Sequence, residues 1–535
     1  MDLNDKLYKA FLEEVQALES FRMTYVSEHP GTPLAPDDPD VKRLLEALAF
    51  FAARSRQAAH STLVEQRRRL FRQFLPYLLD PLPAMGMLQA IPTGKLSEAV
   101  ELPRGTEIAV RDDADRVAIF RTLRPVRLLP LELGPLGVLV LPDGRLRFTL
   151  PATTSYPRND EIGPLRIHVN YLNDIHGSLK VLHALERHID RVSVSFDERV
   201  DEHSRGTPCQ LSFSTPDDEE DSLHPLSRER LFFHFPRAEQ FFDLALPSPP
   251  RNWQHFTLMF DVKPDWPRNL RLTSEVFQLF ATPIINLTRA PAQPISHDGT
   301  EERWPLRHPA PGGRYELHSV RGVYRLVGDA MVPLRPATLA GGAGAYELAD
   351  DPRAAGARRP VLLVHLPEAL ATPTTVSVDA EWLQPWFSSS IGERLEIAPY
   401  RRALAGVQWE VSGDLVPHRD SELGDAVDDF THILVLQHKS RLGRDDLDAL
   451  LDMLGSVWNG PFAPLRELIT HVKVHEAPAQ RGPRAGGSKL VYTLALAEHE
   501  ASLQPMVASF VRHLENVLGA WIADLPVEVR VGERS

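Results

Sequence analysis

Hydrophobic periodicity changes once along this chain. Before Pro83 apolar residues recur every three or four positions; after it they fall in short alternating runs broken by proline, glycine and aspartate. That switch predicts an α+β protein with a helical N-terminal segment and a strand-rich body. Leu3, Leu7, Phe11, Val15, Leu18, Phe21 and Tyr25 make the first stripe, which His29-Pro30-Gly31 ends because proline disfavours helical geometry at the residue before it. A second helix starts at Asp38-Pro39-Asp40, which supplies an N-cap, a first-turn proline and a favourable negative charge. Its stripe is Val41, Leu44, Leu45, Leu48, Phe51 and Ala52. A third stripe, Leu63, Leu70, Phe71, Phe74, Leu75 and Leu78, predicts a third helix stopped by Asp80-Pro81. Two outcomes stay open: the helices close on one another, or they share their apolar faces with a partner.

Four segments follow from these texture changes: a helical assembly segment over 1–82, a β-rich domain over 83–282, a Pro/Gly-rich β domain over 283–425, and an α+β domain over 426–535. In the last, Thr431–Gln437 reads as a strand, Arg444–Trp458 as a helix, Leu468–His475 and Lys489–Ala497 as strands, Leu503–Ile522 as a helix and Val527–Val531 as a strand. That order, β-α-β-β-α-β, predicts a ferredoxin-like module offering a sheet edge or face to a neighbour.

The motifs that carry chemistry are missing. There is no His-Glu-x-x-His and no Gly-x-Ser-x-Gly. Gly482–Lys489 reverses the lysine and hydroxyl order of a phosphate loop and precedes a strand, and the Gly341–Gly344 cluster lacks dinucleotide-binding spacing. His183 and His188, five apart, point to different helix faces. One cysteine, Cys209, excludes an internal disulfide framework or a multi-cysteine metal site and fits a reducing compartment. Trp253, Trp266, Trp304, Trp382, Trp386 and Trp409 read as core or interface anchors rather than sugar-stacking platforms. Arg67-Arg68-Arg69 reads as a solvated or partner-facing side, and the acidic run Asp217–Asp221 as a solvated linker. A net charge of −13 argues against bulk nucleic-acid binding, which needs basic surface. No apolar stretch is long enough to span a bilayer, and the N-terminus lacks a signal-peptide core, so a cytoplasmic protein without direct membrane insertion is expected. No catalytic, metal-binding or cofactor-binding residue is assigned, and no enzymatic activity is expected.

The segment Asp38–Arg54, Asp-Pro-Asp-Val-Lys-Arg-Leu-Leu-Glu-Ala-Leu-Ala-Phe-Phe-Ala-Ala-Arg, followed by Phe74–Met85, resembles the TssF (VasA/ImpG) family of type VI secretion baseplate subunits. Looser collinear matches are Leu102–Thr106, Phe277–Leu287 and Glu316–Val320, whereas Ser377–Pro385 replaces the usual Cys-Thr-Asn-Arg-Asp-Leu-Pro stretch, so the member is a divergent one. The resemblance implies an elongated, non-catalytic wedge protein similar to one in contractile phage tails. It also implies these partners: a TssG-like wedge subunit, a second TssF copy, a TssK-like adaptor, and spike/hub and sheath proteins. The implied location is the cytoplasm, at the inner face of the bacterial inner membrane through the assembled baseplate. The expected interface is Leu3, Leu7, Phe11, Val15, Leu18, Leu44, Leu48, Phe51, Leu70 and Phe74. A different reading of the same β-rich body is a multidomain hydrolase or glycan-binding protein, which needs a pocket with converging carboxylates or a triad.

Overall fold

The computed structural model describes residues 3–31, 38–213, 224–337, 344–350, 360–366, 373–391, 394–401, 403–421, 427–478, 488–522 and 524–532. The acidic run at 217–221, most of the 341–344 glycine cluster and the 482–487 loop lie outside them.

Helix α1 spans Leu3–Glu28 and α2 spans Pro39–Phe74. The start of α2 is the expected one: the Asp38 carboxylate accepts from the Asp40 N–H at 2.9 Å, with Pro39 in the first turn. The second and third expected helices are one. The residues between the two stripes, Arg54–Thr62, are polar but include no proline or glycine, so nothing interrupts the backbone hydrogen bonds until Leu75-Pro76. The chain then makes a single-turn helix α3, Pro76–Leu79.

After Met85 the body is built of sheets. A six-stranded sheet runs, edge to edge, Glu396–Pro399, Glu107–Arg111, Val117–Thr122, Ala281–Ile285, Met85–Pro92 and Val407–Val411. It therefore draws on segments far apart in sequence. Beside it, a sheet containing Leu146–Arg158, Ile189–Phe196 and Trp253–Val262 faces one containing Pro164–Val169, Phe241–Ala245 and Phe277–Leu279. Their inward side chains, such as Leu150, Phe256 and Leu258 against Ile167, Phe242 and Leu244, share one core with α4, Ile175–His188. A second pair of sheets, around Thr374–Leu383 and Pro360–His365, encloses Val376, Val378 and Trp382 against Leu362 and Val364. Glu316–Val327 is one long strand whose register against Thr374–Leu383 shifts at His318 and again at Arg321.

Trp253, Trp266 and Trp382 are buried, and the indole N–H groups of Trp253 and Trp382 donate to the carbonyls of Asp160 and Ala290 at 3.1 and 2.9 Å. They are core anchors, with no ring face open to a sugar.

The C-terminal region corrects one expectation. Helix α5 spans Pro225–His234 and α6 Val427–Gln437, so Thr431–Gln437 is helical and not a strand. The run Ile433-Leu434-Val435-Leu436 is too short for periodicity to separate the two states. Burial separates them: Ile433 and Leu436, three apart on one helix face, enter the core, whereas Val435 is half exposed. Without that strand the six-element ferredoxin-like order does not form. The expected helix Arg444–Trp458 ends early: α7 is Arg444–Met453, and Gly455 at φ +93 breaks the helical path. After α8, Pro464–Leu468, come a three-stranded sheet, Ile469–Pro478, Ser488–Leu496 and Val527–Val531, and α9, Gln504–Trp521. The last two strands pair in parallel, with α9 as their crossover.

This region is fixed to the rest of the chain in two ways. The first is apolar. Phe71, Leu75, Leu78 and Leu79 from the root of the N-terminal helices share a core with Leu226 and Phe233 of α5 and Leu447, Leu450 and Phe510 of the C-terminal helices. Phe71 is fully buried, so Phe71→Ala is expected to cost about 3–5 kcal/mol. A denaturant midpoint unchanged by the substitution would exclude the ring from that core. The second is ionic. His513 of α9, 5 % exposed, donates from Nδ1 to Glu229 at 2.8 Å and from Nε2 toward Glu239 at 3.3 Å. Asn516 donates to the other Glu229 oxygen at 2.9 Å, and Phe232 stacks on the imidazole. Burial alone would depress the His513 pKa, but the two carboxylates outweigh it and raise it to about 9.

Candidate assembly interface

The helices α1 and α2 form a hairpin arm. Ala49 and Ala53 are fully buried, small enough to let the two helices lie close, and Arg56 pairs with Glu14 across the seam at 2.5 Å. Leu7, Phe11, Val15 and Leu18 are half-buried along α1. Four of the expected interface residues thus serve partly to close the hairpin. The side chain of Leu3 lies outside the described residues.

The other five expected residues are exposed: Leu44 63 %, Leu48 50 %, Phe51 65 %, Leu70 47 % and Phe74 59 %. Tyr8, Leu12, Met23 and Phe50 are exposed too, although they lie off the sequence stripes; large apolar residues on two faces of one helix were the available signal. Among the described residues, twelve of the twenty-three exposed large hydrophobics lie within the first 74 positions. Scattered exposed leucines need no explanation, but this concentration does. The surface also winds. At roughly 100° per residue, Leu63, Leu70 and Phe74 sit about a quarter turn around α2 from Leu44, Leu48 and Phe51. A helix that covers both sets must cross or coil around the arm rather than lie straight along it.

The arm is rooted in the body by directional contacts. Arg69 makes a bidentate pair with Glu347 at 2.5 and 2.6 Å, Arg230 donates to the Tyr77 carbonyl, and Ser421 donates to the Leu78 carbonyl at 2.7 Å. His224 stacks on Tyr77 with 4.0 Å between ring centres. Of the expected basic run, Arg69 is therefore bound to the body rather than solvated. Asp80 follows at the root, where burial pushes its carboxyl above the ordinary carboxylate value against the opposing pull of His318 and Arg230.

Chemistry of other kinds is not assembled in the same way. Among the described residues no group of three or more His, Cys, Asp and Glu side chains is placed to hold a metal ion. Burial pushes the Cys209 thiol up to about 11, away from thiolate reactivity. No helix among the described residues is long and apolar enough to cross a membrane.

Comparison with known proteins agrees with the arm and body together. The chain is 27% identical over 146 residues to the type VI secretion system component TssF1 of Pseudomonas aeruginosa, an alignment that covers 25% of this chain and 23% of that protein. The aligned part thus spans about a quarter of the curated relative. Its fold is similar to a chain of the type VI secretion TssK-TssF-TssG baseplate subcomplex solved by cryo-electron microscopy, with a TM-score of 0.70 and 18% identity over 92% of this chain and 96% of that one. A chain of the type VI secretion baseplate complex gives 0.61 and 17% over 98% and 96%. The family model described as type VI secretion system, TssF matches residues 29–349, from the end of α1 through the arm root and most of the β body. With well over half of its length matched, the chain belongs to the TssF family of type VI secretion systems.

Proposed function

We propose that this chain is a structural wedge component of a type VI secretion baseplate, and that its helical arm is the surface on which the wedge assembles. The observation that carries this reading is the winding apolar surface of α2, exposed in the single chain and fixed at its root by a buried core and a bidentate ion pair. Such a surface, held out on a rigid root, is suited to helices from another chain. The solved TssK-TssF-TssG subcomplex, which holds TssK and TssG beside TssF, favours a TssG-like subunit as one such neighbour, and a second copy of this chain is proposed as another. A TssK-like adaptor, spike/hub and sheath proteins complete the proposed surroundings, at the cytoplasmic face of the inner membrane. The protein acts by holding parts together, without catalysis and without nucleic acid. The three-stranded C-terminal sheet, with helices on one face, is proposed as a secondary contact to a neighbouring subunit through its open face or edge.

Deleting residues 1–62 tests the reading, since it removes most of the arm and leaves Phe71, Leu75, Leu78 and Leu79 in the core they share with the C-terminal helices. The truncated chain is expected to lose a co-expressed TssG-like subunit on purification. Retention of that subunit at normal yield would refute the arm as the assembly surface.

A further inference from the structure

The three-stranded C-terminal sheet has two edges, Ile469–Pro478 and Val527–Val531, with Ser488–Leu496 between them. The bonds made by the central strand fix which backbone groups each edge leaves over. The Leu490 N–H donates to the Pro526 carbonyl and the Gly532 N–H to the Leu494 carbonyl, so even-numbered residues of the central strand bond toward Val527–Val531. Its odd-numbered residues turn to the other neighbour, where Val491, Thr493 and Ala495 stand opposite His475, Lys473 and His471. In an antiparallel pair every second residue bonds inward and those between point away. Val472, Val474 and Glu476 therefore direct three N–H and three C=O groups out of the sheet, and no hydrogen bond between described residues engages them. The opposite edge is treated differently: there Glu515 of α9 accepts from the outward Val529 N–H at 3.0 Å.

Side chains on this edge say what kind of strand it accepts. Val472 and Val474 pack toward the helices, so His471, Lys473 and His475 project from the open face, and all three are exposed. In a chain of net charge −13 this row is basic, and no ion pair between described residues takes up any of the three. The nearby acids are already engaged: Glu476 pairs with Arg441 at 3.7 Å, and Glu528 with Lys489 and Arg530. A lysine on an edge strand is also a device against unwanted pairing, and here it selects the partner. Antiparallel pairing with a second copy about Val474 puts Lys473 opposite that copy's His475, which offers no counter-charge. A strand with acidic side chains at every second position sets opposite charges against the same row, the favourable cross-strand arrangement. The register against the central strand is unbroken from His471 to Pro478, so no bulge turns the edge away.

Resting on the reading that this sheet contacts a neighbouring subunit, we infer that the contact is a strand addition. The edge Ile469–Pro478 takes up an extended segment of another wedge subunit, whose acidic side chains at alternate positions lie against His471, Lys473 and His475. Hydrogen exchange at the Val472, Val474 and Glu476 amides tests this, in the full-length chain alone and in the wedge it forms with co-expressed TssG-like and TssK-like subunits. The three amides are expected to slow at least tenfold in the wedge. Lys473→Glu, a change at an exposed side chain, is expected to remove that slowing, and Lys473→Arg to keep it. The Val491 and Thr493 amides, bonded within the sheet, report that it stays folded in each variant. Exchange at the edge amides that is the same in the wedge as in the free chain would overturn the inference. So would slowing that survives Lys473→Glu, or slowing produced by raising the concentration of the chain alone, which would assign the edge to a second copy. Thr493→Cys in a Cys209→Ser background puts one thiol on the open face and separates the two levels. If maleimide labelling there is blocked in the wedge while the edge amides do not slow, the sheet contacts through its face and the strand addition fails. If neither changes, the reading of the sheet as a contact fails as well.

Discussion

Replacing Leu48 and Phe51 with aspartate is expected to abolish co-purification with a TssG-like subunit while the body stays folded. Both side chains are at least half exposed in the single chain, so their removal takes little from its own core. Full burial of each in a partner interface contributes about 1.5–3 kcal/mol. Because part of each is already buried in the single chain, losing both takes about 2–3.5 kcal/mol and weakens binding by roughly 10–300-fold, at 1.4 kcal/mol per factor of ten. Two unpaired carboxylates pressed against apolar helices add a further desolvation penalty. Leu172→Asp is the control: it is 80 % exposed, lies on the body, and is expected to bind as the parent chain does. Phe11→Asp differs again, because Phe11 is half-buried in the arm, and this change loosens the hairpin as well as its partner contact. Circular dichroism beside a pull-down separates these outcomes, and retained partner with a folded double variant would contradict the prediction.

His513→Ala is expected to release the C-terminal helix from the body. The substitution leaves Glu229, itself only 6 % exposed, buried without its cation, at a cost of about 3–5 kcal/mol. The parent chain should show the same dependence through pH. With a folded pKa of about 9 against roughly 6.5 in the unfolded chain, the contribution is complete below about pH 6.5. It declines as pH rises and is lost above about 9. The shift corresponds to about 3 kcal/mol, an order-of-magnitude figure. Hydrogen exchange along Gln504–Trp521 is expected to accelerate steeply between neutral pH and pH 10, beyond the intrinsic base-catalysed increase, and His513→Ala should remove that excess. An excess that persists in the variant would assign it to another group.

How much of this was legible in the sequence depends on the range of the interactions involved. Asp38-Pro39 located the start of α2 because capping is local, and Val527–Val531 was read with its observed bounds because alternation and turn residues frame it. The length of α2 was misjudged because a polar stretch between two apolar stripes resembles a boundary, although only proline or glycine would have made one. The strand expected at 431–437 failed where a short β-branched run is decided by what it packs against, here the core shared with the arm root. The expected interface residues were visible as large apolar side chains, but whether each closes the hairpin or faces outward depends on the pairing of α1 with α2. The His513 pair lay beyond sequence reasoning, because its partners are 284 and 274 positions away and lie on separate elements.

The central claim, that the arm is where this chain assembles, is tested most directly by hydrogen exchange over Pro39–Phe74, measured for the chain alone and in complex with a TssG-like subunit. Alone, a long helix with much of its apolar surface exposed should open locally and exchange well before the β body. In the complex its amides are expected to slow by at least tenfold, with the largest change around Leu44–Phe51 and Leu63–Phe74. Exchange across this helix that stays the same in an intact complex would contradict the account.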